Sequence, residues 1–418
     1  MISRLKHFPK PAKKSAKKSA KKRLLQTPIR QWCFFASLTM ALLSGCQEQP
    51  KTSPTITSIA TATPTATTKD KDPDGILERV KARGKLICGV NGKLAGFSYV
   101  DQKGDWSGLD VDYCKAIAAA VLGDAKAVEF KPLLTKDRFT AVQNGDVDIL
   151  MRNTTRTLTR DVIPNISFAP TTFFDGQGLM LRIGASPSAP KSTASAAPSP
   201  TATPEAKPDK QTPRTNEELA IALKDLAGKK ICVETGLNAS NLESAFKEAS
   251  IDITTMVLPD PDSVLKAYAK GDCEAISSEK SQLAAWRSKL PRPVDHKILD
   301  VSFSKEPLSP AIVGNDDHWR DVVTWVIYAT FYAEELGITM DNYTTFKDTK
   351  NPEISKFLGM SESLGIELGL APDWTTQILK QVGNYSDIYN RNLATLEIPR
   401  GLNRTWKQGG LLYSMPFR

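Results

Sequence analysis

The pattern of apolar and polar positions predicts an α/β unit that begins after residue 74. Apolar runs and helical spacings alternate along it. The predicted helices and strands are, in chain order, Ile76–Arg83 (helix), Lys85–Val90 (strand), Leu109–Leu122 (helix), Ala127–Phe130 (strand), Asp137–Asn144 (helix) and Val147–Met151 (strand). Gly92–Tyr99 is predicted to be a loop, and Phe168–Leu181 an extended segment that crosses to a second lobe.

A second unit repeats the first. Its predicted elements are Glu217–Leu226 (helix), Lys230–Glu234 (strand), Thr235–Asn241 (polar loop), Leu242–Ala249 (helix), Ile253–Val257 (strand), Ser263–Lys270 (helix) and Cys273–Ser277 (strand). The last strand of each unit follows a Gly-Asp pair and leads into a polar loop, as GDVDILMRNTT and GDCEAISSEKS show. Two similar α/β lobes that face each other predict a ligand held between them.

The loop after Val147–Met151 has the chemistry of a binding site. Ligands of open α/β sheets bind at the carboxyl ends of the strands. Asn153 and Thr155 offer small donors and acceptors there, and Arg160 can present a planar fork of donors to a carboxylate. Glu279, after the matching strand of the second unit, has the opposite charge, so the pair suits the two ends of a zwitterion. The alternative is a polar loop whose Thr residues cap the next turn and whose Arg is solvated.

The amino terminus predicts export. Residues 1–30 hold eleven Lys or Arg and no acidic residue, and an apolar run, Trp32–Leu43, precedes Ser44, Gly45 and Cys46. A basic region, a short apolar region and small residues make an export signal, and the run is shorter than the ~20 residues of a membrane span. Leu43–Cys46 matches a bacterial lipobox, so Cys46 is the predicted lipidation site. The alternative is an uncleaved anchor helix.

The signal changes the meaning of the net charge. The chain has a formal charge of +9, of which residues 1–45 supply +11, so the remainder has a charge of −2. The basic balance is therefore no sign of nucleic-acid binding. Residues 46–74 and 183–214 are rich in Pro, Ser, Thr and Ala and predict a disordered tether and a disordered insertion. Val322–Leu336 is apolar nearly all round and predicts a buried helix.

Four cysteines remain beyond the signal and the lipid site, namely Cys88, Cys114, Cys232 and Cys273. In an exported protein an even number indicates disulfides, and the simplest pairing keeps each bond within one lobe, Cys88–Cys114 and Cys232–Cys273. The alternative is four buried thiols. The three His residues are scattered, and the sequence has no Gly-rich phosphate loop and no GxSxG motif, so neither a metal nor another cofactor is predicted.

Eight segments together resemble the periplasmic solute-binding proteins of polar amino-acid ABC importers, and in particular the general L-amino-acid-binding branch. The segments are GLDVDYCKAIAAAVLGD (Gly108–Asp124), RFTAVQNGDVDIL (Arg138–Leu150), RNTTRTLTRD (Arg152–Asp161), FFDGQGLML (Phe173–Leu181), SKEPLSPAIVGNDDHW (Ser304–Trp319), AEELGIT (Ala333–Thr339), ILKQVGNY (Ile378–Tyr385) and RGLNRTWKQGGLLYSMPFR (Arg400–Arg418). They span nearly all of residues 76–418 outside the Pro-rich insertion.

The resemblance implies a type II periplasmic clamp of two α/β lobes joined by two crossover strands, with a helical C-terminal extension. Lobe 1 would comprise residues 75–182 and part of 304–418, and lobe 2 residues 215–303. Arg160 would hold the ligand α-carboxylate with Asn153, Thr155 and Asn238, and Glu279 would take the α-ammonium. Asn91, Leu94 and Phe97 would face the ligand side chain.

It also implies a lipid-anchored, periplasmic monomer that binds an L-amino acid and passes it to an inner-membrane permease and ATPase, without chemistry of its own. Two other functions stay open, an amino-acid-sensing lipoprotein that feeds a receptor and a dehydratase-like enzyme on the same fold.

Three departures from the family pattern bear on the ligand. The family usually has Asp at the position of Glu279, a Thr-rich loop where this chain has Gly236–Ser240, and Trp at the position of Arg156. If Arg156 points inward, it favours an acidic ligand side chain. If it points outward, it is a surface charge.

Overall fold

The computed structural model describes residues 75–183, 223–361 and 364–418. The predictions for residues 1–74, including Cys46, and for most of the Pro-rich insertion lie outside the described residues. The α-helices are Gly75–Arg83, Leu109–Leu122, Arg138–Gln143, Leu158–Asp161, Leu237–Glu248, Pro261–Lys270, Lys280–Arg287, Asp317–Glu335, Pro352–Phe357, Trp374–Gln381 and Tyr385–Asn392. Short 3-10 helices are Lys224–Leu226, Pro293–Asp295, Tyr343–Phe346, Ile366–Leu368, Ala394–Leu396 and Trp406–Gln408.

The strands are β1 (Leu86–Val90), β2 (Lys93–Leu94), β3 (Ser98–Val100), β4 (Trp106–Ser107), β5 (Val128–Pro132), β6 (Ile149–Leu150), β7 (Ile166–Phe168), β8 (Phe173–Asp175), β9 (Gln177–Arg182), β10 (Lys230–Glu234), β11 (Thr254–Leu258), β12 (Ala275–Glu279), β13 (His296–Ile298), β14 (Glu306–Leu308) and β15 (Ala311–Val313). They form two five-stranded sheets, one for each lobe, and two smaller sheets.

The sheet of lobe 1 has the strand order β5-β1-β6-β15-β7. Strand β1 pairs in parallel with both β5 and β6, and β15 pairs antiparallel with β6 and β7. The carboxyl ends of β5, β1 and β6 therefore meet at one edge. This is the edge at which the sequence predicts the binding loop.

The sheet of lobe 2 has the order β11-β10-β12-β9-β13. Strands β11, β10 and β12 run parallel, so Glu234 and Glu279, the last residues of β10 and β12, lie at the same edge. Strand β9 pairs antiparallel with β12 and β13. The chain has therefore entered this sheet before the Pro-rich segment begins.

Two antiparallel strands link the lobes. Strand β8 pairs with β14, so that Phe173 lies opposite Leu308 and Asp175 opposite Glu306. Strand β8 leads from lobe 1 into β9 of lobe 2, and β14 leads back from lobe 2 into β15. The predicted clamp with two crossover strands is confirmed.

The C-terminal helices enlarge the core of lobe 1. The predicted apolar helix is confirmed as Asp317–Glu335, and its buried face includes Trp319 and Val326. The indole Nε1 of Trp319 donates to the backbone oxygen of Asp148, 2.9 Å away, and this bond ties the extension to β6. Tyr385, fully buried, belongs to the same core. No helix among the described residues has the length and apolar character needed to span a membrane.

Each lobe contains one disulfide, and the predicted pairing is the one observed. Cys88 is bonded to Cys114, and Cys232 to Cys273, with Cα–Cα distances of 6.3 and 5.8 Å. Each bond ties the central parallel strand of its lobe to a following element of the same lobe. All four cysteines are buried, as the alternative of free thiols also required, but they are paired.

Several predicted boundaries were wrong. The loop Thr235–Asn241 is mostly helix, because Gly236, at φ 95°, allows the chain to turn directly from β10 into the helix Leu237–Glu248. The predicted loop Gly92–Tyr99 includes β2 and the start of β3, which pair with β4 in a small sheet. Strand β6 spans only Ile149–Leu150, although backbone bonds at Asp148 and Met151 continue its alignment with β1.

Candidate functional site

The loop after β6 is held against the returning crossover strand. The backbone N–H of Arg156 donates to Pro307 O at 2.9 Å, and that of Ser309 donates to Thr154 O at 2.9 Å. Thr155 forms a β-bridge with Leu308 and is buried. The loop is therefore fixed at the junction of the two lobes.

Asn153 and Asp110 set the start of this loop. Asn153 has φ 33°, and its backbone N–H donates to Asp110 Oδ2 at 3.0 Å. Burial raises the pKa of Asp110 to about 7, while the bond from Asn153 and the charge of Arg152 act in the opposite direction. The side-chain Oδ1 of Asn153 is buried and has no partner among the described residues, so it is available as an acceptor.

Arg160 lies in the short helix Leu158–Asp161 that follows the loop and is partly buried. Its Nη1 donates to Thr155 O at 2.8 Å, which orients the guanidinium. Burial lowers the pKa of Arg160, whereas the carboxylates of Glu306 and Glu279 raise it. Glu279 belongs to lobe 2, so the two predicted charges are near enough to interact across the cleft.

Glu279 and Asn238 come together on the lobe 2 wall. The Asn238 Nδ2 group is 3.5 Å from Glu279 Oε2, and Ser278 Oγ donates to the same oxygen at 2.9 Å. Asn238 lies in the first turn of the helix Leu237–Glu248, whose unpaired N–H groups favour a negative charge. Asn238 is therefore placed beside both Glu279 and a helix terminus.

The three residues predicted to face the ligand side chain have different surroundings. Asn91, partly buried, follows β1, and its Oδ1 accepts from the N–H of Lys93 at 3.2 Å. Leu94 and Phe97 lie in the lobe 1 core with 3% and 0% of their surface exposed. The Phe97 ring contacts Phe173 edge to face at 5.2 Å. Their contact with a ligand stays a prediction.

Arg156, where the family usually has Trp, points outward. Its Nε and Nη2 both donate at 3.0 Å to the carboxylate of Asp161, and both side chains are exposed. Arg156 is therefore a surface charge with its own partner.

Sequence reasoning missed three charged residues that interact across the cleft. Arg138 and Arg152 of lobe 1 are buried, and both interact electrostatically with Glu234 of lobe 2. The pKa of Glu234 is raised to about 7 by burial and by the charges of Glu279 and Asp260. The position of Glu234 at the carboxyl end of a parallel strand was the signal that could have identified it.

A polar network at the crossover was missed as well. Glu306, 2% exposed, accepts from Ser304 Oγ at 2.6 Å and from Asn241 Nδ2 at 3.4 Å. Asn241 also donates to Gln177 Oε1 at 3.0 Å. The signal was a Glu in an otherwise apolar crossover strand, at a position where burial requires partners.

These features define a class. Two α/β lobes joined by two crossover strands present arginines on one wall and glutamates on the other, at the carboxyl ends of their strands. Such an arrangement is that of a ligand-binding clamp. Within the described ranges, no group of three or more His, Cys, Asp or Glu side chains could hold a metal ion.

Comparison with known proteins places the clamp in a family. Residues 86–286 match the bacterial extracellular solute-binding proteins, family 3. Over 348 residues the chain is 39% identical to the general L-amino acid-binding periplasmic protein AapJ of Rhizobium johnstonii, with coverage of 82% of this chain and 92% of that protein. The chain belongs to this family.

Two further relatives agree. The glutamate/glutamine/aspartate/asparagine-binding protein BztA of Rhodobacter capsulatus is 37% identical, with coverage of 82% of this chain and 93% of that protein. A solved ABC transporter periplasmic binding protein from Brucella ovis with glutathione bound is 38% identical, with a TM-score of 0.70 and coverage of 82% of this chain and 99% of that structure. The predicted resemblance is confirmed.

Proposed function

We propose that this protein is the substrate-binding component of an ABC importer for L-amino acids. It captures the amino acid in the cleft between the lobes and delivers it to a membrane permease and its ATPase. The identity of the relatives, which are named as amino-acid-binding proteins, supports this function.

One observation carries the proposal. Arg160 and Glu279 lie on opposite lobes, and their charges interact in a partly buried site. Arg160 would bind the α-carboxylate through two parallel hydrogen bonds, and Glu279 would accept from the α-ammonium. Asn153, Thr155 and Asn238 would add bonds to the carboxylate, while Asn91, Leu94 and Phe97 would set the space for the side chain. Because Arg160 of lobe 1 would bind one charge of the ligand and Glu279 of lobe 2 the other, binding would favour the closed clamp.

The protein would do no chemistry on its ligand. A general acid or base is needed for the dehydratase alternative. The contacts of Glu279 with Asn238 and Ser278 orient its carboxylate and suit an acceptor for the ligand ammonium.

Calorimetric titration of the purified protein, unfolded and refolded to remove bound ligand, against the twenty amino acids tests the function. We expect several L-amino acids to bind with micromolar or tighter affinity. Absence of binding across the panel would reject the proposal. Co-purification with a permease complex would separate an importer component from a receptor-linked sensor.

We also propose how the chain is arranged at the membrane. Residues 1–45 would be a lipoprotein signal, Cys46 the acylated residue, and residues 46–74 a tether to a periplasmic monomer. The sequence predicts lobe 1 at residues 75–182 with 304–418, lobe 2 at residues 215–303, and an insertion at 183–214. Because β9 (Gln177–Arg182) pairs within the lobe 2 sheet, we assign β9 to lobe 2. Cys46→Ser should release the protein from membranes in a fractionation experiment. Retention of this variant on the membrane would support an uncleaved anchor helix.

A further inference from the structure

The helix Lys280–Arg287 of lobe 2 packs against both lobes. Its buried residues Leu283 and Trp286 belong to the core of lobe 2, together with residues of β9, β10 and β12. Ala285, 1% exposed, belongs instead to the core formed by lobe 1, the crossover strands and the C-terminal helices. Burial of apolar surface in both directions favours the arrangement in which the two lobes are together. The helix therefore joins the lobes at a place outside the proposed ligand site.

The carboxyl end of this helix reaches the C-terminal extension. Arg287, whose side chain is 21% exposed, donates through Nη2 to Glu397 Oε2 at 2.8 Å and to the backbone oxygen of Leu396 at 3.5 Å. Glu397 has φ 55°, a conformation that residues other than Gly rarely adopt. At this turn the extension presents a backbone oxygen and a carboxylate to one guanidinium of the opposite lobe. Because most of the Arg287 side chain is buried, solvent screens this contact less than it screens a fully exposed ion pair.

The residues that follow the helix reach the rim of the cleft. Lys289 Nζ donates to the backbone oxygen of Lys93 at 3.2 Å and lies 5.8 Å from the ring centroid of Tyr99. Lys93 begins β2, soon after Asn91, and Tyr99 belongs to β3, so both lie in the small sheet of lobe 1. The Nζ of Lys93 is also 3.4 Å from Asp262 Oδ2 of lobe 2. These contacts flank the carboxyl end of β1, beside the proposed ligand site.

The small sheet and the extension support each other. The turn between β2 and β3 contains Gly96, at φ 82°. A Cβ at this position would lie 2.7 Å from Leu396 Cδ1 and 2.9 Å from Leu393 Cδ2, so the two segments are in close contact. Leu393 is fully buried. Contacts made by lobe 2 with either segment therefore act on one packed unit of lobe 1.

We propose that Arg287 and Lys289 of lobe 2, through these contacts with the extension and the small sheet, stabilise the closed clamp and slow release of the ligand. This inference rests on the proposed function. The contacts occur in the same structure in which Arg160 and Glu279 interact across the cleft, so both sets belong to one arrangement of the lobes. Rotation of lobe 2 away from lobe 1 about the crossover strands would separate Lys289 from Lys93 at the rim. A ligand that binds the closed clamp would thus be retained by contacts that it does not make itself.

Stopped-flow measurement of association and dissociation rates tests the inference, with the L-amino acid that binds most tightly in the calorimetric panel as the probe. Arg287→Met should raise the dissociation rate about threefold to tenfold and leave the association rate within about twofold, because the contact is lost only when the clamp opens. Glu397→Gln should act in the same direction, and the double variant should not exceed Arg287→Met, since one contact is removed. The matched control, Arg292→Met, removes an exposed guanidinium that is paired with Asp295 within lobe 2 and should change neither rate.

Three results would overturn the inference. They are an unchanged dissociation rate in both single variants, slower dissociation in either, and independent, multiplied effects in the double variant. Slower dissociation would mean that the contact holds the clamp open. If Arg287→Met does not fold, as judged by circular dichroism, Glu397→Gln still decides, because Glu397 is exposed. Failure of the wild-type protein to bind any amino acid would instead reject the proposed function, and this inference with it.

Discussion

Arg156 and Arg160 are four residues apart, yet the structure gives them different surroundings. Arg156 is exposed and bonded to Asp161, whereas Arg160 is partly buried, bonded to a backbone oxygen, and interacts with the carboxylates of Glu279 in the opposite lobe and of Glu306 in the crossover strand β14. A paired, solvated guanidinium has little more to gain from a ligand. The partly buried one, which has no bidentate carboxylate partner among the described residues, has much more to gain.

This contrast leads to a prediction for Arg160. Arg160→Ala should weaken amino-acid binding about 100-fold or more, because two charge-assisted bonds of about 1.5–3 kcal/mol each are lost. Calorimetric titration measures the loss, and circular dichroism checks the fold. Arg156→Ala is the control and should bind normally. Near-wild-type affinity in Arg160→Ala would show that the site is elsewhere.

Glu234 predicts a pH dependence of stability. Its pKa in the folded protein, about 7, lies above its usual value of 4.5. The folded state therefore holds this proton more tightly than the unfolded state does. The resulting contribution to the free energy of unfolding is fully present below pH 4.5 and is lost as the pH rises through 7. The shift corresponds to at most about 3 kcal/mol, and partial exposure reduces it to about 1–2 kcal/mol.

Urea unfolding at pH 5 and pH 8 measures this effect. From pH 5 to pH 8, the free energy of unfolding should fall less in Glu234→Gln than in the wild-type protein. The difference between the two should be about 1–2 kcal/mol. Glu243→Gln, an exposed substitution in the same lobe, should follow the wild-type curve. Parallel curves for Glu234→Gln and the wild-type protein would show that Glu234 does not titrate in this range.

At the scale of elements, the repeated acidic residues in the last strand of each unit have a structural role. Asp148 Oδ2 accepts from the N–H of Ile87 at 2.7 Å, and Glu274 Oε2 accepts from the N–H of Lys230 at 2.8 Å. In each lobe a carboxylate thus accepts a hydrogen bond from a backbone N–H near the start of the middle parallel strand. The likeness of the two sequence segments therefore reflects the same strand contact made twice, and the ligand site lies beyond it.

The disulfides belong to this scale too. The Cys232–Cys273 bond closes a segment with a sequence separation of 41, for which chain entropy gives about 4 kcal/mol. The double variant Cys232→Ala, Cys273→Ala should lower the thermal midpoint measurably, because both residues are buried in lobe 2. Amino-acid affinity at 25 °C should change little, since neither residue lies at the edge of the sheet that binds ligands.

Differential scanning calorimetry with and without an amino-acid ligand separates the lowered thermal midpoint from any change in ligand binding. The double variant Cys88→Ala, Cys114→Ala removes the lobe 1 disulfide, which joins residues with a sequence separation of 26, and should also lower the thermal midpoint. An unchanged midpoint in either double variant would contradict the structural role of that bond.

At the scale of the whole molecule, the Pro-rich segment is attached within one lobe. Strand β9 ends at Arg182 in the lobe 2 sheet, and the described chain resumes at Leu223, which is fully buried in the same lobe with Leu179 and Ile231. Both attachment points are therefore in lobe 2, so the segment does not link the two lobes.

Deletion of residues 185–213 should therefore leave amino-acid affinity within about threefold of the wild-type value, because loop length adds only a small entropic term. Titration and circular dichroism of the shortened protein check this. Deletion of residues 93–107, which removes the small sheet over the lobe 1 core, serves as the contrasting variant and should abolish binding. Loss of folding in the first deletion would show that the segment is structural.

The sequence by itself determined the two repeated lobes and the buried C-terminal helix, and it favoured the two disulfide pairs over four free thiols. The pair of crossover strands was implied by the family resemblance. Hydrophobic periodicity and cysteine spacing are local signals, and they survive in a single chain. It also indicated Arg160 and Glu279 as opposing charges. It misplaced the start of the helix after β10, because Gly236 can end a strand or begin a helix with equal ease.

Only the tertiary structure decided which charges lie near one another. Arg138 and Glu234 are far apart in sequence and belong to different lobes, and no periodic pattern links them. Arg156 and Arg160 look equivalent in the sequence, and they differ because packing against the crossover strand exposes one and partly buries the other. Burial and partners decide whether a charge is available to a ligand, and both depend on contacts that form only in the folded chain.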